Sequence, residues 1–436
     1  MINLDGVTSK AVVAWLSCGH DIGARVSDAA KAARYLLVEA PDIAAHGRFD
    51  VAVVDLRGAE QSRQTCNELL TTARRLAPVA GVIILVSTEA DEKTRATLRR
   101  RGDLCFVGRD ATPAVAYIRE RLRLYGLVDE MGERLKSIVA DGRTASFSSL
   151  QHEKPHLSVL VAGAPSPLTL SACNAVRKTA AQATCVFTAG QVMRALDHSG
   201  FDGAVFLPET EGDLLFALAR ALRRHRDYRN IPVILASADQ DLLDRFVIRD
   251  GFDTIQADHI DADLSKRLGL AARRARTASA VRNFLRSNDG LAGGKDGAAS
   301  ARFFAQHATR LFRRADETGE AISFAAYSLS AREAESGAIV EAIRTASRIL
   351  RAEDLIARLS PATFAVLLRG VREHDARRIA ERLEGVISGS LPRATTANAE
   401  RTSAAVQRHP GEDVEETIAA LFRALKRIER TGAFAG

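Results

Sequence analysis

Phe49-Asp50-Val51-Ala52-Val53-Val54-Asp55 returns later in the chain as Phe201-Asp202-Gly203-Ala204-Val205-Phe206-Leu207. Val82-Ile83-Ile84-Leu85-Val86-Ser87 likewise returns as Val233-Ile234-Leu235-Ala236-Ser237. Each run is short, apolar and rich in β-branched residues, and most end at or near a small or acidic residue. Amphipathic stretches such as 61–76 and 213–224 lie between them. Short continuous apolar runs of this kind read as strands buried on both faces, and their alternation with helices reads as a parallel sheet covered on both sides. The two sets keep similar internal spacing, so two such segments follow one another. Right-handed crossovers bring the C-terminal strand ends, Asp55 and Ser87, to one edge of the first sheet.

The 436 residues are too many for one ordinary core and suggest about three domains. A hydrophobic share of 46% beside 26% charged residues is that of a globular rather than a disordered chain. The net charge of +7 is spread over arginines interleaved with acids, whereas a nucleic-acid stripe would be clustered, so nucleic acid is not an expected partner. Cys18, Cys66, Cys105, Cys173 and Cys185 are far apart and form no Cys-x-x-Cys, which predicts free buried thiols in a reducing cytoplasm, with no zinc site and no disulfide. The opening Met1-Ile2-Asn3-Leu4-Asp5 lacks the pattern of a signal peptide, and no apolar run reaches the ~18 residues of a membrane span, so a cytoplasmic location is expected.

With these strand ends, the two repeated segments resemble the receiver domains of response regulators over roughly 10–125 and 156–275. The resemblance implies a flavodoxin-like (CheY-like) doubly wound fold for both. It makes Asp55 the phosphoacceptor and Ser87 the switch hydroxyl, with Arg109 near the usual lysine. The acidic pair that would hold Mg²⁺ after the first strand is missing from Val12-Val13-Ala14-Trp15-Leu16-Ser17-Cys18-Gly19, so Mg²⁺ is expected only if Asp55 is phosphorylated. An Asp capping the turn after a buried strand is the competing reading. In the second segment Leu207 replaces the acceptor and Gln256-Ala257-Asp258 offers no lysine, which suggests a dimerisation or adaptor module.

Residues 118–138 read as a long amphipathic helix followed by a polar linker. An Arg-rich helix over 266–286 leads into Ser287-Asn288-Asp289-Gly290-Leu291-Ala292-Gly293-Gly294-Lys295-Asp296-Gly297, a flexible joint by composition. Beyond it, strand-like segments at 321–329 and 364–368 alternate with helices at 299–314, 337–350 and 374–387. The expected organisation is a first receiver over 1–130, a linker over 131–155, a degenerate second receiver over 156–275, a linker over 276–297 and a third domain over 298–436.

The third domain carries Arg351-Ala352-Glu353-Asp354, followed by Leu355-Ile356-Ala357-Arg358-Leu359-Ser360-Pro361-Ala362-Thr363-Phe364. This resembles the GGDEF (diguanylate cyclase) family, in which an Arg-x-x-Asp pair precedes the Gly-Gly-Asp/Glu-Glu-Phe hairpin; Asp289 and Leu291 match the family's opening motif. The resemblance implies an α+β ferredoxin-like domain. An arginine fork can grip a phosphate or the O6/N7 edge of guanine, and a carboxylate three residues on can accept from guanine N1–H and its amino group. A solvated ion pair worth about 0–1 kcal/mol is the plain alternative. On the next helix Arg382 corresponds to a further ligand-binding arginine, with Arg378 assisting.

At the hairpin only Phe364 remains, and Ile322-Ser323-Phe324-Ala325-Ala326-Tyr327-Ser328-Leu329-Ser330 contains no acid. Two divalent cations at a GTP site need carboxylates, so the expectation is a cyclic di-GMP-binding effector that is not an enzyme and requires no cofactor. The rival readings are a phosphorylation-controlled scaffold switched through Asp55 and a residual GTP-binding site at the hairpin. His152-Glu153-Lys154-Pro155-His156 matches a zincin string, but Pro155 disfavours the helix that chemistry needs. Gly293-Gly294-Lys295-Asp296 lacks the spacing and hydroxyl of a P-loop.

The order receiver, receiver, degenerate GGDEF is similar to that of a group of response regulators related to the cyclase PleD. A homodimer is expected. The resemblance alone implies a place at a cell pole, with an RcdA-like adaptor, a CtrA-like substrate and the ClpXP protease as partners.

Overall fold

The computed structural model describes residues 11–432 apart from 20–21, 34, 40–41, 46–48, 78–81, 88, 108–110, 113, 146–155, 179–180, 211, 226–227, 229, 251, 295, 331–332, 334–336 and 392–400. The chain is mixed α/β and divides into two compact units. One is Met1–Tyr125 with Glu153–Thr277, the other Gly126–His152 with Ala278–Gly436.

In the first unit, strands β1 (Ala11–Ser17), β2 (Tyr35–Glu39), β3 (Val51–Asp55), β4 (Val82–Ser87) and β5 (Asp103–Val107) form a parallel sheet in the order β2-β1-β3-β4-β5. Helices α1 (Ala24–Ala32), α2 (Arg63–Leu76), α3 (Glu92–Arg99) and α4 (Ala114–Ala140) alternate with them. The pattern recurs with β6 (Ser158–Gly163), β7 (Gln182–Val186), β8 (Gly203–Leu207), β9 (Val233–Ser237) and β10 (Asp253–Gln256), and with α5 (Pro167–Arg177), α6 (Ala189–His198), α7 (Leu214–Arg224), α8 (Gln240–Asp250) and α9 (Ile260–Arg286). Its order, β10-β9-β8-β6-β7, is the same connectivity read from the other edge. The continuous apolar runs have a direct cause: Val51 to Val54 and Ala204 to Phe206 are fully buried because helices cover both faces. Helix starts follow side-chain chemistry, with the Ser62 hydroxyl accepting from the Thr65 N–H and the Asp213 carboxylate from the Leu215 N–H.

The two halves of this unit meet through charged groups. Arg274 lies 3.7 Å from Asp103 and 3.6 Å from Glu120, and its guanidinium stands 4.9 Å from the Tyr117 ring centroid. Arg267, 5.8 Å from the same ring centroid, lies 3.5 Å from Asp253 within its own half. Burial pushes the carboxyls of Glu120 and Asp253 up, against the pull of these arginines.

The expectation of five free thiols is corrected here. Cys173 on α5 and Cys185 on β7 are disulfide-bonded, while Cys66 and Cys105 are buried thiols and Cys18 is exposed. No motif marks the pair; the return from α5 into β7 makes them neighbours. Burial pushes the Cys105 thiol up to about 12, so it is inert as a nucleophile.

The second unit has a sheet ordered β11-β13-β14-β12-β15, with β11 (Ala299–Ser300), β12 (Ile322–Ser328), β13 (Leu355–Arg358), β14 (Thr363–Arg369) and β15 (Thr402–Gln407). β11 pairs parallel to β13 and the other pairings are antiparallel. Its helices are α10 (Ala301–Thr318), α11 (Ala338–Ile349), α12 (Glu373–Ser390) and α13 (Val414–Gly432). Alternation along β12 sends Ala325 and Tyr327 into a core with Ile343, Phe364 and Leu383, while Phe324 packs on the opposite face against the tilted rings of Phe304 and Phe312, with centroids 5.2 and 5.6 Å away. The Ser300 hydroxyl caps α10 by accepting from the Phe303 N–H at 3.2 Å. Ser300→Ala is expected to cost about 0.5–2 kcal/mol, measured as a lowered urea midpoint with unchanged slope.

The glycine-rich run, expected to be a flexible joint, forms compact turns over its described residues. Leu291 N–H donates to Ser287, Gly293 N–H to Asn288 and Gly294 N–H to Leu291, and Leu291 and Ala292 are buried. Gly293 needs its positive φ of 72°, and a Cβ on Gly290 would sit 2.1 Å from the Phe284 carbonyl oxygen, so glycine here serves compact turns. Among the described residues no helix is long and apolar enough to cross a membrane.

Candidate functional site

Helix α11 ends at Ile349 with Leu350 as its C-cap, and the chain turns through 351–354 before entering β13. The Asp354 Oδ2 accepts from the Arg351 N–H at 2.8 Å, closing the turn. Ala352 is buried and pins the backbone, while the Arg351 side chain is exposed. Asp354 keeps part of its surface open to solvent, but its carboxyl is packed among protein atoms. Burial pushes it up to about 7, against the hydrogen bond from the Arg351 backbone and the Arg351 charge. The sequence-predicted pair is thus brought together, with the arginine fork outward and the carboxylate at the base of the turn.

Arg378 and Arg382 lie one turn apart on α12 and are both exposed. Their i, i+4 spacing puts them on one helical face. Among the described residues no hydrogen bond or ion pair joins either to the 351–354 turn.

Across 359–362, the positions read in the sequence as the hairpin, β13 and β14 are joined by a tight polar turn. The Ser360 hydroxyl accepts from the N–H groups of Ala362 and Thr363 at 3.2 and 3.0 Å, and Arg358 donates to the carbonyls of Ser360 and Pro361. Register sets Ser328 opposite both Thr363 and Thr402, a row of three hydroxyls at the end of neighbouring strands. Ser328 and Thr363 are hydrogen-bonded at 3.1 Å. Among the described residues no group of three or more His, Cys, Asp or Glu side chains converges as metal ligands.

Asp55 ends β3 and is fully buried. Both of its carboxylate oxygens are gripped by the Arg57 guanidinium, with Nε 2.9 Å from Oδ1 and a terminal nitrogen 2.7 Å from Oδ2, and the Arg57 N–H adds a bond to Oδ1 at 3.2 Å. Ser87 ends the adjacent β4, where its N–H donates to Glu60 at 2.8 Å and its hydroxyl accepts from the Glu89 N–H. Arg109 and the His152–Pro155 part of the zincin-like string lie outside the described residues. Arg57 was missed by sequence reading, although its place two residues after Asp55 was a signal for such a clamp.

No family model matches the chain, and no curated relative matches it. Among solved structures it is similar to the GGDEF domain of DgcB from Caulobacter crescentus in complex with c-di-GMP, at 17% identity and a TM-score of 0.28, over 31% of this chain and 85% of that one. It is similar to the diguanylate cyclase SiaD from Pseudomonas aeruginosa, solved with its activator SiaC, at 19% identity and a TM-score of 0.29, over 51% of this chain and 89% of that one. A probable two-component system response regulator/GGDEF domain protein is similar at 15% identity and a TM-score of 0.24, over 60% of this chain and 99% of that one. These neighbours include diguanylate cyclases, which are enzymes, and the expectation that the chain is not an enzyme is withdrawn on that finding. The error lay in treating missing carboxylates as a demonstrated loss of activity.

Proposed function

We propose that the chain is a cyclic di-GMP-binding signalling protein whose ligand is held by Arg351, Asp354 and Arg382, with Arg378 assisting. The observation that carries this reading is the 351–354 turn. It holds an exposed arginine fork beside a carboxylate whose backbone partner is already in place. The fork suits the O6/N7 edge of guanine or a phosphate, and the carboxylate suits guanine N1–H and the exocyclic amine. Arg378 and Arg382 add exposed positive charge for the two phosphates of the ligand. The strand order β2-β1-β3-β4-β5 and its repeat support reading the first unit as two flavodoxin-like receiver folds. The mostly antiparallel sheet β11-β13-β14-β12-β15 with its helices suits an α+β GGDEF fold that would carry the ligand. A PopA-like role, delivering a CtrA-like regulator through an RcdA-like adaptor to ClpXP at a cell pole, is supported by that domain order.

Calorimetric titration of cyclic di-GMP tests the binding reading. The wild-type protein is expected to bind, and Arg351→Ala to bind at least about tenfold more weakly, the loss of one charge-assisted contact. Absence of binding by the wild type overturns the proposal.

A further inference from the structure

We propose that Arg134 is the positioning residue of the 351–354 turn, so that the helical segment around it and the ligand-binding turn act as one body. The inference rests on the nucleotide-binding reading above and concerns what holds that site in shape.

Arg134 lies on the part of α4 that belongs to the second unit, and it is fully buried. Its guanidinium makes four hydrogen bonds. Nε and one terminal nitrogen donate to Glu130 Oε1 at 3.0 and 2.7 Å, and the other terminal nitrogen donates to the Leu285 carbonyl at 2.9 Å. The nitrogen on Glu130 also donates to the carbonyl of Glu353 at 3.2 Å. Glu353 is the residue between Ala352 and Asp354, so the arginine grips the backbone of the Arg-x-x-Asp turn from its buried side. Arg286 donates to the Leu350 carbonyl at 3.3 Å just before the turn. The turn is therefore tied at both ends by arginines from other elements and closed within by Asp354.

Behind Arg134 stands a buried relay. Glu130 Oε1 also meets His307 Nε2 at 3.1 Å, and His307 Nδ1 meets the Ser137 hydroxyl at 3.0 Å; Glu130 and His307 are both fully buried. A buried arginine held by four hydrogen bonds has little freedom, and a turn whose carbonyls are held in advance loses less freedom when a ligand arrives. Since Arg134 makes none of the ligand contacts proposed above, it acts through the backbone of Glu353.

The full-length protein is titrated with cyclic di-GMP, and backbone amide exchange across 350–355 is followed with and without ligand. The variants are Arg134→Met, Arg134→Lys and the double change Glu130→Gln with Arg134→Met, which keeps charge balance if the single change fails to fold. Both methionine variants are expected to show faster exchange across 350–355 in the free protein and affinity about tenfold weaker, a cost of ordering the turn on binding. Arg134→Lys is expected to stay weak, because one ammonium cannot hold the Leu285 and Glu353 carbonyls in the same fork. A purely structural role would lower thermal stability and leave affinity unchanged. Wild-type exchange rates at 350–355 in the folded double variant overturn the positioning role, and affinity within about twofold of wild type overturns its link to binding. Should the wild type take no ligand, the nucleotide reading falls, and the exchange comparison still decides what Arg134 does to the turn.

Discussion

Arg369→Met is expected to destabilise the second unit by about 3–5 kcal/mol, the usual cost of removing one partner from a buried ion-pair network. Arg369 closes β14 and is only 11% exposed at its side chain. It meets Glu320 at 2.9 Å, Asp129 at 2.5 Å and Glu130 at 3.7 Å. Truncation leaves three carboxylates facing one another, with Arg314 remaining on Asp129 and Arg134 with His307 on Glu130. The check is urea unfolding followed by a signal from this unit, with Arg369→Met/Glu320→Gln as a partner variant expected to recover part of the loss. The same network predicts an acid limit. Burial alone would raise the Glu130 carboxyl, but Arg134, His307 and Arg369 outweigh it and hold Glu130 at about 2. Its contribution is therefore complete above the ordinary glutamate value and disappears as pH falls toward about 2. Stability that is lost instead as pH falls from 8 to 6 would point to a different controlling group.

Cyclic di-GMP affinity is expected to fall about tenfold for each pH unit below about 7 and to level off above it. Asp354 is the cause. Burial raises its carboxyl to about 7 in the free protein, whereas guanine N1–H and the exocyclic amine need a carboxylate to accept them. Below that pH, binding must first expel a proton, and the ligand itself has no group titrating in this range. The free protein responds with the opposite sign. Its folded state keeps the Asp354 proton over a range in which the unfolded chain has lost it, so stability declines as pH rises from the ordinary aspartate value toward 7. Titrations from pH 5.5 to 8 in buffers of differing ionisation enthalpy read both the affinity and the proton released. Asp354→Asn should bind weakly at every pH with the slope abolished. An unchanged slope in that variant would remove Asp354 from the site.

The sheets of the first unit were legible because their strands are buried on both faces. Val51 to Val54 and Val82 to Val86 must then be uniformly apolar, and that uniformity is visible in the sequence. Helix starts were legible for the same kind of reason, since Ser62 and Asp213 act on N–H groups two or three residues away. Arg351 and Asp354 were singled out in the sequence through the Arg-x-x-Asp resemblance alone; the turn they form, one carboxylate reaching a backbone N–H three residues back, was not read there although its chemistry is local.

What was hidden depends on residues far apart in sequence. β15, Thr402–Gln407, has little apolar character and becomes a strand only by pairing with β12. Cys173 and Cys185 reveal nothing by their spacing, and the glycine run reads as a joint until buried Leu291 and its turn hydrogen bonds are seen. Glu130 and Arg134 stand four residues apart on a helix, the signature of a solvated surface pair. Packing against α10 and β14 buries both and turns a minor ion pair into the anchor of the candidate site. Strand, helix and turn chemistry was determined by the sequence because those preferences act within a few residues. Which polar side chains lose their water was decided only by the tertiary structure, because burial is set by whatever distant segment arrives to cover them.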